Sequence, residues 1–147
     1  MGIHSARVAF LLKELWTWVT RPIQLGVRMI LIQDDKVLMV RHTYMPGWHF
    51  PGGHMNRGET PLEGAAREAW EEAGVELLEP PQFLGIFSAT AMGRSDHVVV
   101  YVSRKFRVGK PTDTWEIAER KFFTIDAIPP GISERWRKIV SNLVAND

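Results

Sequence analysis

The sequence predicts an α/β protein, helices sandwiching a mixed β-sheet, and three observations predict it. Short runs rich in Val, Ile, Leu and Met stand before and after one central helix, and a second amphipathic helix closes the chain. The run Val98-Val99-Val100 is continuous rather than alternating, as in a central strand buried on both faces. The central helix carries its own start and stop signals between Thr60 and Gly74.

Residues 4–19 read as an amphipathic helix, with Val8, Leu11, Leu12, Leu15 and Val19 at helical spacing and Lys13 and Glu14 opposite. Arg7 and the following apolar run also suit a signal peptide, but Lys13 and Glu14 interrupt it and no clear cleavage site follows. Trp16 and Trp18 add apolar bulk, so the helix is expected to dock on its own domain or on a second subunit, giving a homodimer. Gln24 to Ile32 and Lys36 to Arg41, joined through Asp34-Asp35, predict a β-hairpin. Pro46-Gly47 turns the chain into a short strand, Trp48-His49-Phe50, that ends at Pro51-Gly52-Gly53. Phe83 to Thr90 and His97 to Phe106 predict two strands around Met92-Gly93-Arg94-Ser95. Arg107 to Thr114 reads as a loop, Lys121 to Ile125 as a strand, Ile128 to Gly131 as a turn, and Ser133 to Val144 as the closing helix.

A chain of 147 residues with 45% hydrophobic and 24% charged content suits a globular domain able to bury a core. A formal charge of +1 gives no bulk attraction to nucleic acid or membrane. Only Arg104, Lys105, Arg107 and Lys110 cluster, so nucleic acid is disfavoured as a partner. No apolar run approaches the roughly 20 residues of a membrane span. The lack of cysteine excludes disulfides and thiol catalysis and fits a reducing compartment, so a cytoplasmic location is expected.

The central helix carries the chemistry. Thr60 is its N-cap, Pro61 suits the first helical position, and Glu63 completes a capping box. Glu68, Glu71 and Glu72 are spaced by three and four residues, which brings three carboxylates onto one face. Such crowding is repulsive unless a hard divalent cation relieves it. The rival reading is a solvated acidic face balanced by Arg67. From Gly53 onward the spacing resembles the Nudix box: Gly53, Glu59, Arg67, Glu68, Ala69, Glu71, Glu72, Gly74 and Val75 fill its constrained positions. Ala69 is smaller than the aliphatic residue the family prefers there.

The resemblance implies a Nudix-type α/β/α sandwich over residues 23–147, with residues 1–22 as a helical extension. It also implies a pyrophosphohydrolase that uses Mg²⁺ or Mn²⁺, with Glu68, Glu71, Glu72 and the Gly52 carbonyl as ligands. In the family the box arginine pairs with the first glutamate, here Arg67 with Glu59. The general base varies among subfamilies, so Glu72, Glu68, Glu119 and Glu116 all stand as candidates. Arg41, His49 and Trp48 are candidate substrate contacts, with Tyr44, Phe87 and Trp115 as further aromatic platforms. His42, His49, His54 and His97 show no zinc spacing.

The family's substrate marks are mostly missing. The proline of its ADP-ribose pyrophosphatases would fall at Thr90, and the tyrosine of its diadenosine polyphosphate group at Ala91 to Gly93. The substrate implied first is a nucleotide, a nucleoside diphosphate linked to another moiety such as a sugar or ribose, cleaved by water attack on phosphorus. A house-cleaning nucleoside triphosphate pyrophosphatase is the runner-up. An RNA 5′-end pyrophosphohydrolase and a non-catalytic nucleotide-binding module follow.

Overall fold

The apolar runs fall into two alternating sets, and that alternation builds the three layers. A computed structural model of the chain describes residues 2–20, 24–43, 46–91 and 94–146. Tyr44, Met92 and Gly93 lie outside them. The main sheet runs in the order Trp48–His49, Lys36–His42, Gln24–Gln33, Arg94–Ser103 and Gln82–Ala91, with Gly52–His54 also pairing Gln24–Gln33 and Ile117–Thr124 pairing Lys36–His42. Its strands are β1 (Gln24–Gln33), β2 (Lys36–His42), β3 (Trp48–His49), β4 (Gly52–His54), β6 (Gln82–Ala91), β7 (Arg94–Ser103) and β9 (Ile117–Thr124). Among the described residues only β1 and β7 run parallel and the other strand pairs are antiparallel, so the sheet is mixed.

Val27, Met29 and Leu31 of β1 pack with Leu38, Val40 and Val99 against Ala65, Ala69 and Ala73 of helix α2 (Pro61–Ala73). Their alternates, Ile30, Ile32, Val37, Met39, Val100 and Val102, pack on the other face against Val140 of helix α3 (Glu134–Ala145). Both sheet faces are therefore dry, which is why β1, β2 and β7 read as unbroken apolar runs. The alanines let α2 approach the sheet closely.

Helix α2 begins and ends as its sequence dictates. Thr60 Oγ1 accepts the Glu63 N–H at 3.2 Å, and Glu63 Oε2 accepts the Thr60 N–H at 2.8 Å. Gly74, at φ 66°, ends the helix with its N–H on the Trp70 carbonyl at 3.0 Å. A Cβ at Gly74 would lie 2.6 Å from the backbone of Lys110, so the position excludes a side chain on two counts.

Three sequence expectations are corrected, and a fourth keeps one of its two alternatives, docking of the N-terminal helix on a second subunit. The stretch after Arg107 is not all loop: β8 (Phe106–Val108) pairs with β5 (Val75–Leu77) in a separate two-stranded sheet. Three residues beside charged neighbours carry too little alternation to announce a strand. Strand β7 starts at Arg94 and stops at Ser103, because Arg94, Ser95 and Asp96 pair through backbone with Ala91, Thr90 and Ala89. Strand β9 starts at Ile117, where it meets His42. Helix α1 (Gly2–Thr20) forms as expected, yet Val8, Leu11, Leu12, Leu15 and Val19 are all more than half exposed, so its apolar stripe is not docked on this chain's core. A periodic stripe specifies a helix but not what covers it.

The feature that positions the site is a fork. β1 and β2 pair only at their hairpin end, Ile32 with Val37 and Gln33 with Lys36. Farther along, β1 turns to β4 (Val27 with Gly53, Arg28 with Gly52), while β2 turns to β3 (Arg41 with Trp48, Val40 with His49). Residues 48–54 thus run between the diverging strands, and the sheet opens there.

Candidate active site

Helix α2 lies under this fork, and its carboxylates point at the turn that fills it. Glu72 is buried, with Oε2 accepting the Gly52 N–H at 3.0 Å and Oε1 lying 3.1 Å from His42 Nε2. Gly52 is bound to this place by its neighbours: an added Cβ would lie 2.0 Å from the Val27 carbonyl oxygen. Glu68 packs on the next glycine, where a Cβ at Gly53 would meet Glu68 Oε1 at 2.8 Å. Two unsubstituted residues therefore let two carboxylates reach the backbone of the turn.

Arg67 ties the loop to the helix. Its Nε and Nη2 donate to the two oxygens of Glu59 at 2.6 and 3.1 Å, a fork-on-fork pair. Nη1 donates to Glu68 at 3.0 Å and to Glu71 at 3.1 Å, and Nη2 also reaches the His54 carbonyl. Hydrogen bonding to Arg67 holds the Glu59 carboxyl below its ordinary range, and Glu59 in turn raises the guanidinium's hold on its proton. Glu71 is the most open of the three box-end glutamates and faces Arg67 rather than Glu72.

Burial pushes the Glu68 carboxyl up from its ordinary value, against the pull of Arg67. Glu72 is raised first by burial and further by Glu68, against the Gly52 N–H and His42. Two desolvated acids, Glu68 raised further by Glu71 and Glu72 by Glu68, are what a hard divalent cation relieves. Among the described residues no three His, Asp or Glu side chains converge to cage an ion unaided. A carboxylate has about four acceptor directions, so Glu72 keeps capacity beyond its two bonds. The donors present, carboxylates beside a glycine turn, fit Mg²⁺ or Mn²⁺.

On the α3 side of the fork lies a cavity of ≈570 Å³, lined in part by Arg28, Trp48, His49, Phe87, Arg135 and Trp136. Arg28 joins the cavity to the carboxylates, since its Cδ and Nη1 lie 2.8 Å from where a Gly52 Cβ would stand and its charge acts on Glu68. His49 Nε2–H donates to the Pro46 carbonyl at 3.2 Å, and its ring lies 5.5 Å from that of His42. Burial lowers the His49 pKa, so it enters the cavity as a neutral ring. Trp48 packs edge-on against Phe123 and takes Arg41 over its face at 6.0 Å.

The remaining candidates stand apart. Arg41 Nη2 pairs with Glu119 Oε2 at 3.1 Å across β2 and β9, both side chains nearly half exposed. Glu116 sits exposed on the turn before β9, with its N–H on Asp113 Oδ1 at 2.9 Å. Trp115 is also exposed, and its carbonyl accepts the Thr43 hydroxyl at 3.1 Å. Sequence reasoning passed over three residues that the fold brings to the site: Arg28, His42 as the partner of Glu72, and Trp136. A lone charge inside the apolar run Val27–Ile32 was the available signal for Arg28. Neither His42 nor Trp136 had one.

The fold and the box define a class, and comparison with known proteins agrees. The NUDIX domain profile matches residues 22–143, and the chain belongs to the Nudix family. A CMP-5′-(N-acetyl-N-hydroxy-3-aminopropyl)phosphonate hydrolase from Streptomyces rubellomurinus is 31% identical over 107 residues, 69% of this chain and 52% of that one. An RNA pyrophosphohydrolase from Xanthomonas oryzae pv. oryzae is 42% identical over 57 residues, 39% of this chain and 27% of that one. The chain thus spans about half the length, or less, of the curated relatives it matches. In fold it is similar to a MutT Nudix hydrolase from Burkholderia pseudomallei, with a TM-score of 0.71 at 21% identity over 82% of this chain and 97% of that one. It is also similar to a UDP-X diphosphatase, with a TM-score of 0.63 at 21% identity over 91% and 71% of the two chains. No helix among the described residues is long and apolar enough to cross a membrane.

Proposed function

We propose that this chain is a Mg²⁺- or Mn²⁺-dependent pyrophosphohydrolase of nucleoside diphosphates linked to another moiety. Residues 23–147 form its catalytic domain and residues 1–22 an extension. The observation that carries the reading is adjacency: Arg28 stands against both the Gly52 turn above the helix carboxylates and the aromatic cavity. A substrate with a flat ring, a pyrophosphate and a second group needs such a pairing of a stacking cavity and an acidic, metal-binding edge. The hydrolase and diphosphatase names of the relatives and fold neighbours support the same chemistry.

The bound cation would neutralise phosphate oxygens and lower the pKa of a water. Glu68, Glu71, Glu72 and the Gly52 carbonyl are the groups to hold it. The water attacks one phosphorus, the bridging P–O bond breaks, and its electron pair leaves on the other phosphate. The attacking water's proton goes to a carboxylate oxygen of Glu68 or Glu72 not engaged in holding the cation. Glu119 is held by Arg41, and Glu116 lies out on its turn. Arg67 and His42 position these carboxylates. Arg28 meets phosphate, while Trp48 and the neutral His49 shape the cavity mouth.

The test is a screen of UDP-, GDP-, CDP- and ADP-linked compounds and nucleoside triphosphates with Mg²⁺, with products identified. A nucleoside monophosphate plus a phosphorylated second product is expected, with one ¹⁸O from labelled water in one of the two. Inorganic pyrophosphate released from triphosphates in preference would move the substrate to the runner-up. Activity that survives exhaustive chelation, or a trapped phosphoryl-enzyme, would refute the mechanism.

A further inference from the structure

The cavity beside the carboxylates is lined with aromatic rings and two arginines. Phe87 and Trp136 meet with ring centroids 5.1 Å apart, and the Arg135 guanidinium lies 5.6 Å from each centroid. Trp136 also meets Phe50 edge-on, which fixes its indole in the wall. Among the described residues of the lining there is no Asp, Glu, Asn or Gln. Several backbone carbonyls nearby are engaged. Arg137 takes the carbonyls of Ile128, Pro129 and Ile132, and His49 takes that of Pro46. The Ser133 hydroxyl accepts the Trp136 N–H as the α3 cap. The side chains of the wall thus offer a flat ligand π faces and the Arg135 guanidinium, with the His49 ring and the Ser133 hydroxyl as the polar groups beside them.

Those groups discriminate between purines. Guanine and hypoxanthine present O6 and N7, two adjacent acceptors spaced for a guanidinium fork, whereas adenine sets an amino donor beside N7. An amino group facing Arg135 would put donor against donor and leave both unsatisfied. Arg28 marks the end of the cavity nearest the carboxylates, and Arg135 lies on α3 against the Phe87–Trp136 rings. A nucleotide with its phosphates toward Arg28 carries its base toward those rings.

We infer that this cavity is a base site selective for 6-oxopurines over adenine, with Arg135 reading the O6/N7 edge above Phe87 and Trp136. The inference rests on the proposed nucleotide reading of the carboxylate site and narrows its substrate class to guanine-type nucleotides.

Calorimetric titration of the full chain without Mg²⁺ tests it, using GMP, IMP, 7-deaza-GMP and AMP as probes. GMP and IMP should bind at least about tenfold more tightly than AMP, with 7-deaza-GMP falling toward AMP, as loss of one fork contact predicts. Arg135→Gln replaces the fork with a carboxamide suited to the N6/N7 edge of adenine, and should narrow or reverse the preference. Arg135→Lys keeps a charged donor without the planar fork and should retain most affinity with a reduced preference for GMP over AMP. Arg135 is exposed at the start of α3, so melting curves of both variants should match the parent. AMP bound as tightly as GMP, a preference unchanged by Arg135→Gln, or no binding of any of the four would overturn the inference. These titrations need no turnover. A protein that hydrolyses nothing can still select GMP, and one that hydrolyses ADP- and GDP-linked compounds while binding GMP and AMP alike refutes only the base assignment.

Discussion

Replacing Glu72 with glutamine separates the two jobs this residue is proposed to do. The carboxamide has the size of the carboxylate, and its oxygen can still accept the Gly52 N–H, 3.0 Å away in the parent. His42 Nε2, at 3.1 Å, would then face either the oxygen or the amide N–H, and its two tautomers can satisfy either. Each bond loses its charge assistance, worth about 1 kcal/mol, the gap between charged and neutral hydrogen bonds. Against this, the Glu72 carboxylate is desolvated and its pKa raised, so a neutral group relieves a cost that the parent carries at pH 7. The two effects have opposite sign, so folding stability should fall by less than the roughly 2 kcal/mol that two bonds of lost charge assistance would cost alone. Activity has no such offset, since the amide is a poor ligand for a hard cation and a poor proton acceptor. A fall in kcat/KM of at least about a hundredfold is expected, or roughly 3 kcal/mol of transition-state stabilisation. Thermal melting and Mg²⁺-dependent phosphate release, measured on the same preparation, decide it. Near-parent turnover would refute the role of Glu72, and a collapse of the melting temperature would show that the residue is chiefly structural.

Three further outcomes follow from the same geometry. Arg67→Ala and Glu59→Ala should each lower the melting temperature, and the double variant should lose less than the sum, because both singles break one bidentate pair; strict additivity would refute the coupling. Glu68 and Glu72 have raised carboxyl pKa values, so their contribution to metal-free stability is whole below the ordinary carboxylate range and is lost as pH climbs through the raised values. Because Mg²⁺ binds the deprotonated forms, its stabilising shift in melting temperature should be larger at pH 7.5 than at pH 5, and a shift independent of pH would count against these ligands. Among the described residues neither core cluster includes one of α1, so deleting residues 1–20 should leave the melting temperature nearly unchanged and reduce self-association; a large drop would show that α1 is part of the folded core.

Legibility in the sequence tracked how local the cause was. The capping box, the Gly74 stop and the unbroken strands are written in neighbouring residues, and the structure shows all three. The Arg67–Glu59 pair was expected because the box fixes both positions, and the two side chains do meet. What the sequence could not show were contacts made by the way the sheet opens. His42 meets Glu72 across 30 positions of chain, and Trp136 reaches Phe50 and Phe87 from the far end of it. Three-residue β8 was hidden for the same reason: its partner β5 is a distant segment, and its own pattern is too short to signal.

The opening of the sheet also explains why the site has its composition. In a continuous β1–β2 ladder, the backbone of residues 26–28 would bond to β2 and nothing could enter from the α3 side. Because Gly26–Arg28 bond instead to His54–Gly52, the Gly52 N–H is left to Glu72, and the Arg28 side chain reaches the turn from the α3 face. Only a turn without side chains fits there, given the 2.0 Å a Gly52 Cβ would leave to the Val27 carbonyl. The acidic helix on one face and the aromatic cavity on the other therefore meet at one turn, although the sheet lies between their cores. Gly52→Ala is the variant that should close this passage. It should displace the β4 pairing with β1 and uncouple Arg28 from Glu68, so both Mg²⁺-dependent activity and nucleotide binding should fall together. A variant that lost turnover but bound mononucleotides with parent affinity would show that the two sites are not joined through the fork.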